Sequence, residues 1–514
     1  MKKLFAFHHL LFAALPIFFL FTHNIAEASL VDTGLPLFVS VVFTASLAFL
    51  LNLVLKNKNK SAAITTLFLV LFFSYGHIYN LKLNLHFGNF FIGKHRYLIP
   101  FFCFVFLVGT CGILLIKNNL NSLSKILNNV SLSLVCISFF TIGFYKISNF
   151  HLFSKERMPH NSEYSRTTLD TAEMMEPLPD IYYIILDGYA SSSTLNEVYN
   201  FNNQEFIDYL SKMGFYVASE SHCNYVLTFL SLASSLNMKY FNDLAEKIGT
   251  HSANRQPITN LLNNNRVVQF LKSRGYKFVF FASGTGETNH NRNADLNYQC
   301  SLVNEFQKTL LQTTILSPIV DYFFVKDDRN RVLCIFSKLS QMHSILGPKF
   351  IFAHMICPHP PFIFDEKGGF PRVTSLQMGG WVWKQKKAYL NQLTFVNKQV
   401  ETLIKGILTN SKVAPIIILQ ADHGPASLVS SVSTGWQTPT EAMIKERARI
   451  FNAYYLPGNP DKVLYENISP VNTFRVIFNL YFKAQYELLD DRCFFSSYET
   501  PYKLMDVTHK VTNH

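Results

Sequence analysis

The sequence predicts an N-terminal α-helical transmembrane bundle of about five helices, followed by a C-terminal α/β domain with a mostly parallel sheet. Three observations carry this expectation. Five apolar runs fill residues 1–150, each close to the ~20 residues a helix needs to cross a bilayer core. Beyond residue 180, short runs rich in Ile, Tyr and Phe alternate with amphipathic helical patterns, as in a parallel sheet covered by helices. The charge is also unevenly divided. Residues 1–150 hold 11 Lys and Arg against 2 Asp and Glu, whereas the remainder holds 35 against 32.

That division removes one function class. The 514-residue chain carries a net charge of +12 and a pI near 9.1, a balance that raises the question of nucleic acid. Most of the surplus flanks the apolar runs, and the C-terminal part keeps only +3. No nucleic-acid partner is expected. Disorder is excluded too, because 49% of the side chains are hydrophobic and only 16% charged, far too apolar to stay solvated.

The apolar runs are Leu4–Phe21, Pro36–Leu55, Ala62–Tyr79, Tyr97–Ile116 and Ile126–Tyr145. The first also has the layout of a signal peptide, with Lys2 and Lys3 before it and Ala26-Glu27-Ala28 after it. Its length favours an uncleaved helix. Cytoplasmic loops are enriched in Lys and Arg. Lys2 and Lys3, then Lys56, Lys58 and Lys60, then Lys117 and Lys125 mark one side, and Glu27 and Asp32 lie in the first break on the other. The third break, with Lys82, Lys94 and Arg96, fits less well. Five helices from an inside N-terminus, or four after cleavage, both deliver the C-terminal part outside.

Residues 151–179 are polar and read as a linker, 180–490 as the α/β domain and 491–514 as a tail. Within the domain, Ile181–Leu186, Phe278–Ala282, Phe350–Ala353 and Ile416–Leu419 have strand length and β-branched or aromatic content. Gln204–Met213, Thr259–Arg274 and Ala388–Leu408 read as helices, and residues 367–384 as an exposed loop at the active site. Five cysteines fall in this outer part, where disulfides persist. Cys223–Cys300 is a candidate bridge, and an odd number leaves at least one thiol over.

Sites in such sheets form beyond the carboxyl ends of the strands. Asp187-Gly188 follows the first strand, His354 and then Cys357-Pro358-His359-Pro360-Pro361 the third, and Asp422-His423-Gly424-Pro425 the fourth. Each has a plainer reading. Asp-Gly is a common turn, and His359 between prolines can be a simple loop residue. Together the three strand ends point to a metal site. Carboxylate and imidazole ligands suit phosphoryl or sulfuryl chemistry, which calls for a nucleophile. Residues 229–238 read as a short helix with Thr228 at its N-terminus. Free amides and the helix dipole there stabilise an alkoxide or an attached phosphate; the plainer reading makes Thr228 an N-cap.

The set Ile-Leu-Asp187-Gly, Tyr-x-x-Thr228-x-x-Ser-Leu, Pro-His359-Pro-Pro-Phe and Asp422-His423-Gly-Pro resembles the alkaline phosphatase/sulfatase superfamily. In layout it resembles the lipoteichoic acid synthases and phosphoethanolamine transferases. The segments Tyr389–Asn397, Phe451–Pro457 and Ser469–Arg475 are also similar to sulfatase-like ones. The resemblance implies an alkaline phosphatase-like domain on the periplasmic side of a bacterial-type inner membrane. It implies Thr228 as nucleophile and metal ligand, Asp187, Asp422 and His423 as further ligands, and His359 as a substrate or leaving-group contact. His354 joins the substrate contacts. Two departures matter. No late histidine matches the second metal of two-metal relatives, so one divalent ion (Mn, Mg or Zn) is expected. No Cys/Ser-x-Pro-x-Arg sequence occurs at the nucleophile, which disfavours sulfate-ester hydrolysis by the formylglycine route.

The expected function is a membrane-anchored, metal-dependent phosphotransferase or phosphodiesterase acting through a phospho-threonine on a phospholipid headgroup or envelope glycan. The alternatives are an inactive sulfatase-like protein that senses envelope lipid, or a hydrolase of another ester. Trp381, Trp383, Lys384, Arg447 and Arg449 are weaker candidates for substrate contact.

Overall fold

The computed structural model describes residues 6–25, 28–81, 86–87, 90–91, 95–117, 120–155, 177–371, 380–429, 434–458 and 463–512. The chain divides into two compact units: Met1–Arg157 with Val303–Phe324, and Met158–Leu302 with Val325–His514.

The first unit holds α1 (His8–His23), α2 (Leu30–Leu55), α3 (Lys58–Asn80), α4 (His95–Leu115) and α5 (Leu120–Lys155). Four of these, α2 to α5, are long and apolar enough to cross a membrane, α5 through Leu120–Ile147. The first apolar run forms the shorter α1, of 16 residues. Polar caps set the starts. Ser29 and Asp32 make a reciprocal capping box on α2, and the Asn57 side chain accepts from Lys60 at the start of α3. Large apolar side chains on these helices, such as Phe38, Phe101 and Phe140, are exposed, as on helices that pack against lipid.

The first unit also contains α7 (Glu305–Gln312), which the sequence had placed inside the α/β domain. Its Phe306 and Leu310 are buried with Ile17, Phe21 and Ile142 of the bundle. An eight-residue amphipathic helix reads the same whichever core it enters. Of the expected linker, residues 156–176 lie outside the described residues, and residues 151–155 are the last turn of α5.

The second unit is built on a seven-stranded sheet. Its strands are β1 (Ile181–Leu186), β2 (Tyr216–Val217), β3 (Lys277–Phe281), β4 (Leu296–Tyr298), β5 (Lys349–Met355), β6 (Ile416–Gln420) and β7 (Asn452–Tyr455), in the order β2-β7-β6-β1-β5-β3-β4. The run from β6 to β4 is parallel, β7 is antiparallel to β6, and β2 is antiparallel to β7. All residues of β1, β5 and β6 are buried, as expected of strands covered on both faces. Ile185 pairs with His354 on one side and Gln420 on the other. The carboxyl ends of β1, β5 and β6 therefore lie side by side.

Three expectations need correction. The single helix expected over Thr259–Arg274 is two, Gln256–Asn263 and Arg266–Ser273. The Asn265 side chain accepts from Val268 N, so it starts a new helix rather than continuing the old one. The disulfide joins Cys300 to Cys334, not to Cys223. Cys223 is fully buried, with its amide bonded to Ala448 and its thiol beside that of Cys493. The C-terminal tail is part of the fold. Phe494–Phe495 pairs with Met505–Asp506, and Cys493, Phe494, Phe495, Tyr502, Val507 and Val511 belong to the main core. Of the two late histidines, His509 sits in a short helix, Thr508–Val511, and His514 lies outside the described residues.

Candidate active site

The strand ends put chemistry in one place because the chain turns sharply after each. Asp187 follows β1, with its amide bonded to Met355 of β5 (3.0 Å). Gly188 then takes φ 73°, and a Cβ there would lie 3.0 Å from the Trp383 ring. After β6, Asp422 and His423 are followed by Gly424, whose amide bonds to Arg447 O at 2.7 Å. A Cβ on Gly424 would meet Glu446 O at 2.2 Å, so only glycine fits. His354 lies within β5, next to its last residue.

Thr228 is the first residue of α6 (Thr228–Asn237), and the cap is Leu227, with no side-chain cap hydrogen bond. The hydroxyl is therefore not spent on capping. It lies 3.0 Å from His423 Nε2. One turn on, Ser231 Oγ donates to the Asp422 carbonyl (2.7 Å), tying α6 to the end of β6.

Around His423 the groups converge. Its Nε2 is 3.2 Å from Asp422 Oδ2 and 3.5 Å from Asp187 Oδ1, and His354 Nε2 is 3.2 Å from Asp187 Oδ2. Two overlapping triads, Asp187–His359–His423 and Asp187–His354–Asp422, each bring their donor atoms within 4.8 Å of one another. The imidazoles are oriented from behind. Nδ1 of His423 meets Gly424 O at 3.0 Å, and Nδ1 of His359 meets Pro360 O at 2.6 Å. A carbonyl oxygen only accepts, so Nδ1 carries the proton in both and Nε2 presents a lone pair. Within the cluster, Asp187 Oδ1, Asp422 Oδ2 and His354 Nε2 are buried without a hydrogen-bond partner.

The electrostatics agree. Burial pushes the Asp422 carboxyl up, to about 7, and the Asp187 charge adds to it. Burial acts on Asp187 in the same sense, but His359, His354 and His423 outweigh it and hold that carboxyl below the usual range. Burial lowers His423, with the Arg447 guanidinium adding to it. Burial also lowers His359. His354 is raised, because Asp187 overcomes its burial. Two neighbouring carboxylates, orphaned oxygens and inward lone pairs make a donor set that fits a divalent cation.

All six site residues predicted from sequence meet here. His354, read as a substrate contact, is enclosed between Asp187 and Thr288 (Nδ1 to Thr288 Oγ1, 2.7 Å), so it faces the carboxylate rather than open space. Trp383 lies edge-on to His359 at 4.8 Å between ring centroids. Arg447 and Arg449 bond to the chain itself. Arg447 clamps Val226 O (3.0 Å) and Gly424 O (2.8 Å), so it ties the Thr228 segment to the His423 turn, and Arg449 donates to Val511 O (3.1 Å). Lys384 is exposed. The Trp381 side chain and residues 372–379 of the expected loop lie outside the described residues.

Two supports were quoted in the sequence without a role. Both lie on α8 (Lys386–Asn410). The Tyr389 hydroxyl donates to Gly188 O (3.0 Å). Gln392 accepts from the Ile363 and Phe364 amides (2.8 and 3.2 Å) and donates to His359 O (3.0 Å). Polar residues on the buried face of an amphipathic helix were the available signal. Gln392→Ala strands these buried groups and is expected to cost roughly 2–4 kcal/mol. Thermal melting and kcat of the variant check it, and an unchanged melting temperature contradicts the assignment.

The Sulfatase family model matches residues 179–512. A search of the curated proteins finds no match. Among solved structures, the C-terminal periplasmic domain of EcEptC from Escherichia coli aligns with TM-score 0.42 and 14% identity, over 66% of this chain and 94% of that one. Lipooligosaccharide phosphoethanolamine transferase A from Neisseria meningitidis, an integral membrane protein, aligns with TM-score 0.37 and 12% identity, over 93% and 95%. The putative sulfatase yidJ from Bacteroides fragilis aligns with TM-score 0.37 and 11% identity, over 64% and 83%. With well over half of its length matched, the chain belongs to the Sulfatase family and is an enzyme of the alkaline phosphatase/sulfatase superfamily.

Proposed function

We propose that this enzyme is a membrane-anchored, metal-dependent phosphotransferase or phosphodiesterase that works through a phospho-threonine at Thr228. The observation that carries the reading is an uncapping threonine hydroxyl at a helix N-terminus, 3.0 Å from His423 in a buried carboxylate–imidazole cluster. Asp187, Asp422 and His423, with the Thr228 hydroxyl, would hold one divalent ion (Mn, Mg or Zn), and His354 would complete or brace that set. Such an ion supplies Lewis-acid polarisation of a phosphoryl oxygen and favours the threonine alkoxide.

The chain's own groups do the rest. Thr228 Oγ1 attacks phosphorus, and the bond to the leaving alkoxide breaks. The first-turn amides of α6 and its dipole favour the phosphate carried there. His359 is steadied by Pro360 O and by the Trp383 edge, and its Nε2, a lone pair at rest, takes up the proton released from the Thr228 hydroxyl and passes it to the leaving oxygen. An acceptor hydroxyl or water then takes the phosphoryl group from Thr228. The substrate is a phosphodiester of a phospholipid headgroup or envelope glycan, met on the extracytoplasmic side to which the Lys placement assigns the domain.

Metal content tests the reading. The full chain purified in detergent is expected to carry about one equivalent of a divalent metal, and Asp422→Ala to lose most of it, as ligand removal does. A wild-type protein that binds no divalent ion under any loading condition sinks the proposal.

A further inference from the structure

We infer that residues 303–324 form a lipid-facing element that lies in the membrane interface, at the level where α1 and α3 end and α2 begins. The segment is wedged into the bundle end. Phe306 and Leu310 pack with Ile17, Phe21 and Ile142, and Leu20, Leu37 and Phe73 close around them. Ile17, Leu37 and Phe73 each lie six or seven residues inside their helices, about 10 Å from the ends at the helical rise. All three sit within the apolar runs. The buried face of the segment thus reaches the depth of hydrocarbon rather than headgroup.

The backbone is joined as well. Gly76 N donates to Thr313 O (2.8 Å), and Phe72 O accepts from Ile315 N (3.0 Å). Gly76 permits the approach, because a Cβ there would lie 2.1 Å from Gln312 O. Asn304 Nδ2 donates to Asp32 Oδ1 (2.8 Å) at the start of α2, and Gln312 donates to Asp321 (3.1 Å). Beyond Ile315 the segment carries an exposed apolar stripe. Leu316, Ile319 and Phe323 are 38%, 72% and 41% exposed, and their spacing of three and four residues makes one helical stripe.

An apolar stripe continuous with membrane-spanning helices has one natural cover, the acyl chains just below the headgroups. The segment is therefore a partner of the bilayer, although the chain enters and leaves it from the α/β unit.

Ile319→Trp in the full chain, reconstituted into phosphatidylcholine bilayers, tests this. The three native tryptophans, Trp381, Trp383 and Trp436, all lie in the other unit and give the baseline. The added emission is expected to be largely lost with lipids brominated near the headgroup end of the acyl chain, and to resist aqueous iodide. Added emission that iodide quenches and bromolipid leaves intact overturns the inference. Phe323→Trp, on the same stripe, gives the same readout should the first variant express poorly.

Discussion

Thr228→Ala is expected to abolish turnover and leave the fold intact. The hydroxyl bonds to His423 and to the Asp422 carboxylate and caps nothing, so its removal costs about 1 kcal/mol of stability. The activity cost is of another order. Without an atom to form the phosphoryl ester, the covalent route is closed, and a loss on the order of 10⁴-fold or more in kcat is expected for a nucleophile. Thr228→Ser keeps an oxygen at the same place and should retain part of the rate. Intact-mass measurement of the wild type after a substrate pulse should show a phosphoryl-bearing adduct that the alanine variant lacks. An alanine variant that turns over phosphodiester at the wild-type rate rules out the covalent mechanism, whatever the metal content.

Gly424→Ala should be the most damaging single methyl in the site. Its Cβ would stand 2.2 Å from Glu446 O, 3.1 Å from Arg449 O and 3.2 Å from Arg447 O. These are backbone oxygens, not the ends of flexible side chains, so the main chain itself must move. The Gly424 carbonyl also receives His423 Nδ1 and the Arg447 guanidinium. Displacing it turns the imidazole and loosens the clamp on the Thr228 segment. A cost of roughly 3 kcal/mol, at the upper end of overpacking, is expected together with weakened metal binding. Gly406→Ala is the control. It lies inside α8 with only Ser340 Cβ near, at 3.7 Å, and should stabilise by roughly 0.5–1 kcal/mol. Equal melting temperatures for the two variants would falsify the packing argument.

Much of this architecture was legible because its physics is local. Strands β1, β3, β5 and β6 are short apolar runs, and the site residues stand at their ends by the logic of parallel sheets. The convergence of Asp187, Asp422 and His423 follows once those strands are neighbours. What escaped is what depends on distant partners. The edge strands β2 and β4 are two and three residues long and gain their identity only by pairing. No spacing in the sequence distinguishes Cys334 from Cys223 as the partner of Cys300. Thr228 reads first as an N-cap from its own segment, until Leu227 is seen to occupy the cap. The apolar positions Phe306 and Leu310 announce a buried face but not which body buries it.

The placement of that last segment bears on how the enzyme can be released. The chain passes between its two units at three points, after Arg157, after Leu302 and after Phe324. One proteolytic cut between Lys155 and Pro177 would therefore not shed a free α/β unit, because residues 303–324 belong to the bundle and stay joined to it. A chain begun at Pro177 would carry Phe306, Leu310 and Ile315 into water with nothing to cover them. Solubility on truncation should thus depend on replacing those three side chains, not on where the chain is started.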